Sequence, residues 1–359
     1  MNSKERVLTT LAHAEPDQVP VDFWVSAALF DKLISATGIH DSEVLIRNLG
    51  VDVRYIEGAV YTGPEIIYED GSYRDCWGVR SITADIDLSQ PQKGTNTHVL
   101  DRPLAAAETV REIEAHSWPS PGDFDFSMIG AQADKLPGMC IVSGAGIWAG
   151  RQLDQAIKLR GFEQCMVDTA LNPNILEAII TKEMEFYLPF LNRFFDNAQG
   201  KVDIFLMGDD FGTQKGLTMS IETWRRFFKP GFRALIDLAH SFGLKIMHHT
   251  CGGIYELIPE FITCGLDVLQ SLQPRAAGMD LAKIKREYGE YICFQGGIDV
   301  QRTMPLGTPE DVKKEVRDVM RVLGEGGGYI LGTAHNMLPD VPVENALAYF
   351  EAATQYGEY

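Results

Sequence analysis

From residue 139 to the C-terminus one pattern recurs: a short, almost wholly apolar run, a turn rich in glycine or polar residues, then a helical stretch. The apolar runs fall at 139–142, 203–207, 244–247, 266–269, 291–294 and 329–331. Helical stretches are predicted at 151–169, 174–199, 220–241, 254–263, 280–288, 309–324 and 343–356. Runs without polar alternation suit strands buried on both faces, and regular strand–helix alternation implies a parallel sheet covered by helices. The N-terminal third is mixed. It predicts helices at 3–14 and 41–49, short strands at 19–24 and 51–57, and a hairpin about Asp70-Gly71. The two early strands bring the count to eight, so the expected fold is a single α/β (β/α)8 TIM barrel spanning 1–359. Residues 1–100 would hold an N-terminal extension, the first strands and a small β-hairpin insertion near 65–82, and 139–359 the regular βα units. The rival, a doubly wound open sheet, wants a third glycine after Gly144-Ala145-Gly146, where Ala149 stands.

Composition narrows the partners. The 359 residues carry a formal net charge of −18, which disfavours nucleic acid or an anionic membrane as the main partner. No apolar run approaches the roughly 20 residues needed to span a bilayer, and the N-terminus has no apolar signal core, so a cytoplasmic protein is expected. Six cysteines, at 76, 140, 165, 251, 264 and 293, are scattered without a CxxC, which fits reduced thiols.

In a parallel barrel the chemistry gathers where the strands end. The predicted strand ends supply Asp209, Asp210, His248, His249, Cys251, Gln270, Gln295, Asp299 and His335. His249-Thr250-Cys251 is the sharpest feature, because residues two apart in extended chain point the same way and an imidazole and a thiolate can grip one ion. Zn²⁺ takes such N and S ligands, and a catalytic site adds a third protein ligand and keeps one position open. His335, ending the last strand, is the expected third ligand; the bland alternative makes Cys251 and His249 ordinary core residues. Asp209 and Asp210 are candidate catalytic carboxylates, although one of them could simply cap a turn. Gln214, Gln295, Asp299 and Trp24 are candidate substrate-binding residues, Asp299 being equally suited to a structural cap. Trp24, Trp77 and Trp148 could line an aromatic pocket or belong to the core. The run from Asp237 to Gly243 has one residue too many between Asp and His for a corrinoid-binding DxHxxG and falls inside a predicted helix.

The segment His249-Thr250-Cys251-Gly252 resembles the H-x-C-G element of the uroporphyrinogen decarboxylase-like superfamily. So do Gly208 to Gln214, Phe228-Lys229-Pro230, Gly297-Ile298-Asp299 and Pro339 to Pro342, and the similarity extends back to Val19-Pro20-Val21-Asp22 and the N-terminus. The resemblance implies a (β/α)8 barrel and two candidate activities. One is decarboxylation of a porphyrinogen; the other is cobalamin-dependent methyl transfer, as in methylcobamide:coenzyme M methyltransferases and O-demethylase components. The decarboxylases carry an arginine-rich segment after their first strand, whereas Asp22 to Phe30 here contains no arginine, which leaves a poly-acid substrate without fixed positive charge. The methyltransferases carry H-x-C as zinc ligands with a later cysteine as the third, and at that position this chain has His335. The resemblance therefore implies a zinc-dependent methyltransferase acting on a methoxy compound or thiol, with a corrinoid (cobalamin) carried by a partner protein. A porphyrinogen decarboxylase and a non-catalytic corrinoid-protein binding module are the alternatives, and a homodimer is compatible with all three.

Overall fold

The computed structural model of the protein describes residues 1–85, 95–145 and 149–359. Seven parallel strands form one sheet in chain order: Val53–Tyr55, Cys140–Ser143, Ile204–Gly208, Lys245–His249, Val268–Leu272, Cys293–Ile298 and Tyr329–Thr333. The predicted strand at 19–24 is not a regular strand, but it does the work of an eighth stave. Leu331 donates to the Pro20 carbonyl at 2.8 Å and Asp22 to the Leu331 carbonyl at 2.8 Å, while on the other side Asp52 donates to the Val21 carbonyl at 2.8 Å. Extended chain thus links the last strand to the first, and the TIM-barrel class expected from the alternation is what the chain adopts.

Side-chain alternation sorts the strands into an inside and an outside. Val53, Val142, Ile204, Leu206, Met247, Val268 and Ile330 form an inner cluster with Val7 and Leu11 of the helix Ser3–Leu11. That helix is pinned by bonds from Lys4 to the Gly138 carbonyl, 2.9 Å, and from Gly328 to the Thr10 carbonyl, 3.1 Å. Both contacts lie just before barrel strands begin, so the N-terminal helix plugs that end. Functional side chains are left to the opposite, C-terminal end.

Several predicted elements are subdivided. The stretch 151–169 breaks into Gln152–Arg160 and Phe162–Ala170 at Gly161, whose φ of 101° suits glycine. The stretch 220–241 breaks at Phe228, because Pro230 begins the new helix Lys229–Ser241 and cannot continue the old one. The helix Ala27–Thr37, capped by Ser26, was not foreseen. The insertion near 65–82 is larger than expected: Ile66–Ile67, Tyr73–Arg74, Arg80–Asp85 and Thr95–Asp101 form a four-stranded antiparallel sheet. Thr95, Thr97 and Val99 alternate β-branched residues along its last strand, and that period extends the ribbon beyond 82.

One buried acid sits in the helical shell. Glu183, midway along Pro173–Ala198, is fully buried, and neither carboxylate oxygen has a hydrogen-bond partner among the described residues. Burial first, then nearby Asp209, holds its pKa well above the usual carboxylate range. A group whose folded pKa is raised contributes fully at low pH and loses that contribution as pH rises through the folded value. Glu183→Gln is therefore expected to match the parent near pH 4. Above the usual carboxylate range it should gain about 1.4 kcal/mol per pH unit until the buried acid titrates. Thermal melts of both proteins from pH 4 to 8 check this; parallel curves would refute it.

Candidate metal centre

The strand Lys245–His249 alternates Ile246 and His248 outward with Met247 and His249 inward. His248 accordingly lies in the helical shell among Phe211, Phe232 and Phe261, with no partner for either ring nitrogen among the described residues. His249 is 4% exposed at the C-terminal end of the barrel. The chain then turns so that the Cys251 Sγ lies 3.5 Å from the His249 Nε2. Zinc bonds of about 2.3 Å to sulfur and 2.0–2.1 Å to nitrogen, meeting at a tetrahedral angle, put two such donors about 3.5 Å apart.

His335 joins them from the turn after Tyr329–Thr333. Donor atoms of His249, Cys251 and His335 all lie within 4.8 Å of one another, and they are the one such group of metal-ligating side chains among the described residues. The residues present thus fit a three-ligand site of two imidazoles and one thiol. The His335 Nδ1 is paired with the Asn336 Oδ1, which leaves Nε2 for an ion. Trp24 braces both rings, stacked on His335 with centroids 5.2 Å apart and edge-on to His249 at 5.0 Å.

Local backbone contacts fix the H-x-C turn. Asp210 Oδ1 accepts the Cys251 N–H at 2.8 Å, and Gln273 Oε1 accepts the Gly252 N–H at 3.1 Å. Gly252 has φ of 87°, and a Cβ there would come within 2.6 Å of the Gly212 and Thr213 backbone, so only glycine allows the two loops to touch. Burial first, and His335 besides, pushes His249 down to about 4, which keeps the ring neutral with a lone pair available. Burial first, then Asp210, pushes the Cys251 thiol up to about 12, so the thiolate needs a cation to form.

Two cavities open nearby, one at His335 and one at Trp24. One of about 410 Å³ is walled by His335 together with Gln273, Arg275, Asp299, Gln301 and Asn336. The other, about 360 Å³, is walled by Phe23, Trp24, Val25, Tyr55, Glu57 and Leu206, and no Lys or Arg lines it among the described residues.

The other candidate residues separate. Asp209 does not face the site. Its carboxylate accepts the N–H groups of Leu153 at 2.7 Å and Asp154 at 2.8 Å, so it caps the helix Gln152–Arg160. Asp210 stays beside Cys251. Gln214 donates to Gln273 at 2.8 Å and so supports the Cys251 loop through it. Gln295 is buried and donates to Asp22 at 2.9 Å. Asp299 is 3% exposed, pairs with Arg275 at 2.6 Å and accepts the Gln301 N–H at 2.7 Å, which makes it a cap as well as part of the larger wall. Trp77 packs on Phe186 and Tyr187 in the core, away from any pocket role, and Trp148 lies outside the described residues. Tyr55 and Arg275 were missed: Tyr55 ends the first regular strand, where the barrel rule could have found it, but Arg275 stands in a loop with no motif to mark it.

Comparison with known proteins follows the same lines. A family model described as uroporphyrinogen decarboxylase (URO-D) matches residues 154–356. Among curated proteins, the uroporphyrinogen decarboxylase of Mannheimia succiniciproducens is 29% identical over 154 residues, 39% of this chain and 41% of that one. That of Serratia proteamaculans is 36% identical over 81 residues, 22% of each chain. The chain thus matches less than half the length of these relatives. A solved methyltransferase from Methanosarcina mazei superposes over 99% of both chains with a TM-score of 0.67 at 18% identity, which shows a shared fold.

Proposed function

The chain belongs to the uroporphyrinogen decarboxylase family, and from that premise we propose that it is a zinc-dependent methyltransferase. It would move a methyl group between a small thiol or methoxy compound and a corrinoid carried by a partner protein. The observation that carries this reading is the convergence of His249, Cys251 and His335 at the C-terminal end of the barrel. Bound there, zinc would supply Lewis acidity, lowering the pKa of a thiol or polarising a methoxy oxygen. The chain's own residues have separate tasks. His249 and Cys251 hold the ion from one strand and its turn, and His335 holds it from another. Asp210 fixes the Cys251 backbone, and Trp24 sets the planes of both imidazoles. In the thiol direction the substrate would give up its thiol proton to solvent and leave as the methyl thioether, with the methylated corrinoid of the partner protein as the second substrate.

Porphyrinogen decarboxylation, the activity named for the curated relatives, is disfavoured by the wall of the smaller cavity. That wall offers Glu57 and apolar groups and no cation, and in the cavity beside His335 the one guanidinium, Arg275, is already paired with Asp299 at 2.6 Å. No helix among the described residues is long and apolar enough to cross a membrane, which accords with a partner met in solution.

Zinc-loaded and chelator-stripped protein, incubated with methylcobalamin and a panel of thiols and methoxyarenes, tests the proposal. Zinc-dependent loss of the methylcobalamin spectrum, or its formation from cob(I)alamin and a methoxyarene, is expected. Equal activity without zinc, or turnover of uroporphyrinogen instead, would overturn it.

A further inference from the structure

The ring of His249 could turn either nitrogen toward an ion. Trp24 meets the ring edge-on and limits its plane, but an aromatic edge does not select a tautomer. The neighbouring strand does. His249 and Gln270 are register partners on the parallel strands Lys245–His249 and Val268–Leu272, and the Thr250 N–H donates to the Gln270 carbonyl at 2.8 Å. Met247 and Val268 point into the barrel, and two residues further along each strand His249 and Gln270 do the same. Register and alternation together set the two side chains next to each other.

The contact between them is direct. Gln270 is fully buried, and its Oε1 lies 3.2 Å from the His249 Nδ1. An amide oxygen only accepts, so Nδ1 carries the proton and donates. Nε2 of the neutral ring is then the lone-pair nitrogen, and it is the one that lies 3.5 Å from the Cys251 Sγ. The amide nitrogen of Gln270 has no hydrogen-bond partner among the described residues. A buried donor left unpaired costs free energy, and an apolar side chain of the same length would avoid that cost. Fold stability therefore does not call for glutamine here, whereas orientation of a ligand does.

The acceptor is an amide where a carboxylate could have stood. Asp22 accepts the Phe23 N–H and the Tyr55 hydroxyl, each at 2.7 Å, and the Gln295 amide at 2.9 Å, while Asp210 accepts the Cys251 N–H. His335 likewise presents its Nδ1 to an amide oxygen, that of Asn336. A partner on the far nitrogen of a ligating histidine fixes its tautomer and orientation, and a carboxylate there also raises its basicity. An amide gives the orientation with less of the second effect, which leaves a bound zinc more electron-poor and suits a Lewis acid.

We infer that Gln270 is the positioning residue of the metal centre, its amide oxygen holding His249 as the Nδ1–H tautomer with Nε2 aimed at the ion. The inference rests on the zinc reading above.

The test is zinc affinity, measured by chelator competition on the full chain, with the ligand-field spectrum of the cobalt(II)-substituted protein as a second readout. Gln270→Met keeps the length of the side chain and removes the amide acceptor. It is expected to weaken zinc by about 10–100-fold and to shift the cobalt bands, while the metal-free variant melts no lower than the parent. Gln270→Glu keeps an oxygen acceptor at the same reach and is expected to bind zinc at least as tightly as the parent. If the folded Gln270→Met protein binds zinc within about twofold of the parent, with unchanged bands, the positioning role is overturned whatever the melting temperature, and the metal reading stands. Equal losses of affinity in the two variants would also overturn it, since the shape of the site rather than the acceptor would then be what zinc requires. If the parent holds no zinc, the metal reading itself fails and takes this inference with it.

Discussion

Cys251→Ala is expected to weaken zinc binding by roughly a hundredfold or more while leaving the barrel folded. Ligand sets of structural zinc sites are worth about 10–16 kcal/mol together, so one ligand of four accounts for about 3 kcal/mol, or two orders of magnitude. Cys251 is the one sulfur of the group, half-buried on a turn after the strand, and its removal leaves two imidazoles. Coordination requires the thiolate, so loading the parent releases the Cys251 proton and its affinity rises with pH. The variant loses that part of the slope. Because the Cys251 loop is held by the bonds of Asp210 and Gln273 to main-chain N–H groups, deleting the thiol leaves the turn itself in place. Chelator competition between pH 6 and 8 reads both effects; affinity and slope equal to the parent's would refute the assignment of Cys251 as a ligand.

The second large effect concerns stability. Asp168→Ala is expected to cost about 3–5 kcal/mol, because it strands a buried guanidinium. Arg160 and Asp168 have side chains only 4% and 0% exposed and are paired at 2.8 Å. The Arg160 Nη1 also donates to the carbonyls of Leu104 at 2.7 Å and Ala107 at 2.6 Å, so one side chain ties the segment after the four-stranded sheet to the barrel helices. Gln164 and Asn172 complete the carboxylate's partners at 2.9 and 3.1 Å. Burial alone would raise the pKa of Asp168, but the bonds from Arg160, Gln164 and Asn172 outweigh it and hold it below the usual value. That contribution is therefore present above the unfolded carboxylate pKa and is lost as pH falls through the lowered folded value. Denaturant melts at pH 7 should show the full loss in the variant, and the gap between parent and variant should narrow toward pH 2. A loss under about 1 kcal/mol at pH 7 would show that the pair is not isolated from solvent.

Much of the architecture was legible because strand and helix leave different periods. Apolar runs such as 244–247 and 329–331 could only be strands covered on both faces, and both are strands of the sheet. The break at Gly161 and the restart at Pro230 were also written in the sequence, as a residue free to adopt positive φ and one that starts a helix. The stave at 19–24 was legible as extended chain, but its place between the last strand and the first depends on contacts some 300 residues apart that no local pattern encodes. At the metal centre, the spacing of His249 and Cys251 and the strand-end position of His335 foretold a meeting point. The separation of Asp209 from Asp210 could not be read, because adjacent residues at a strand end diverge and which one turns inward depends on the turn that follows. The Asp22–Tyr55 contact needs two segments 33 residues apart to adjoin, which only the closed barrel brings about.

X-ray absorption at the zinc edge of the purified, zinc-loaded protein tests the central claim most directly. One sulfur at about 2.3 Å and two imidazole nitrogens at about 2.0–2.1 Å are predicted, with a fourth, light and exchangeable ligand. A first shell of oxygen and nitrogen alone, or zinc that washes out of the folded protein on gel filtration, would contradict the account.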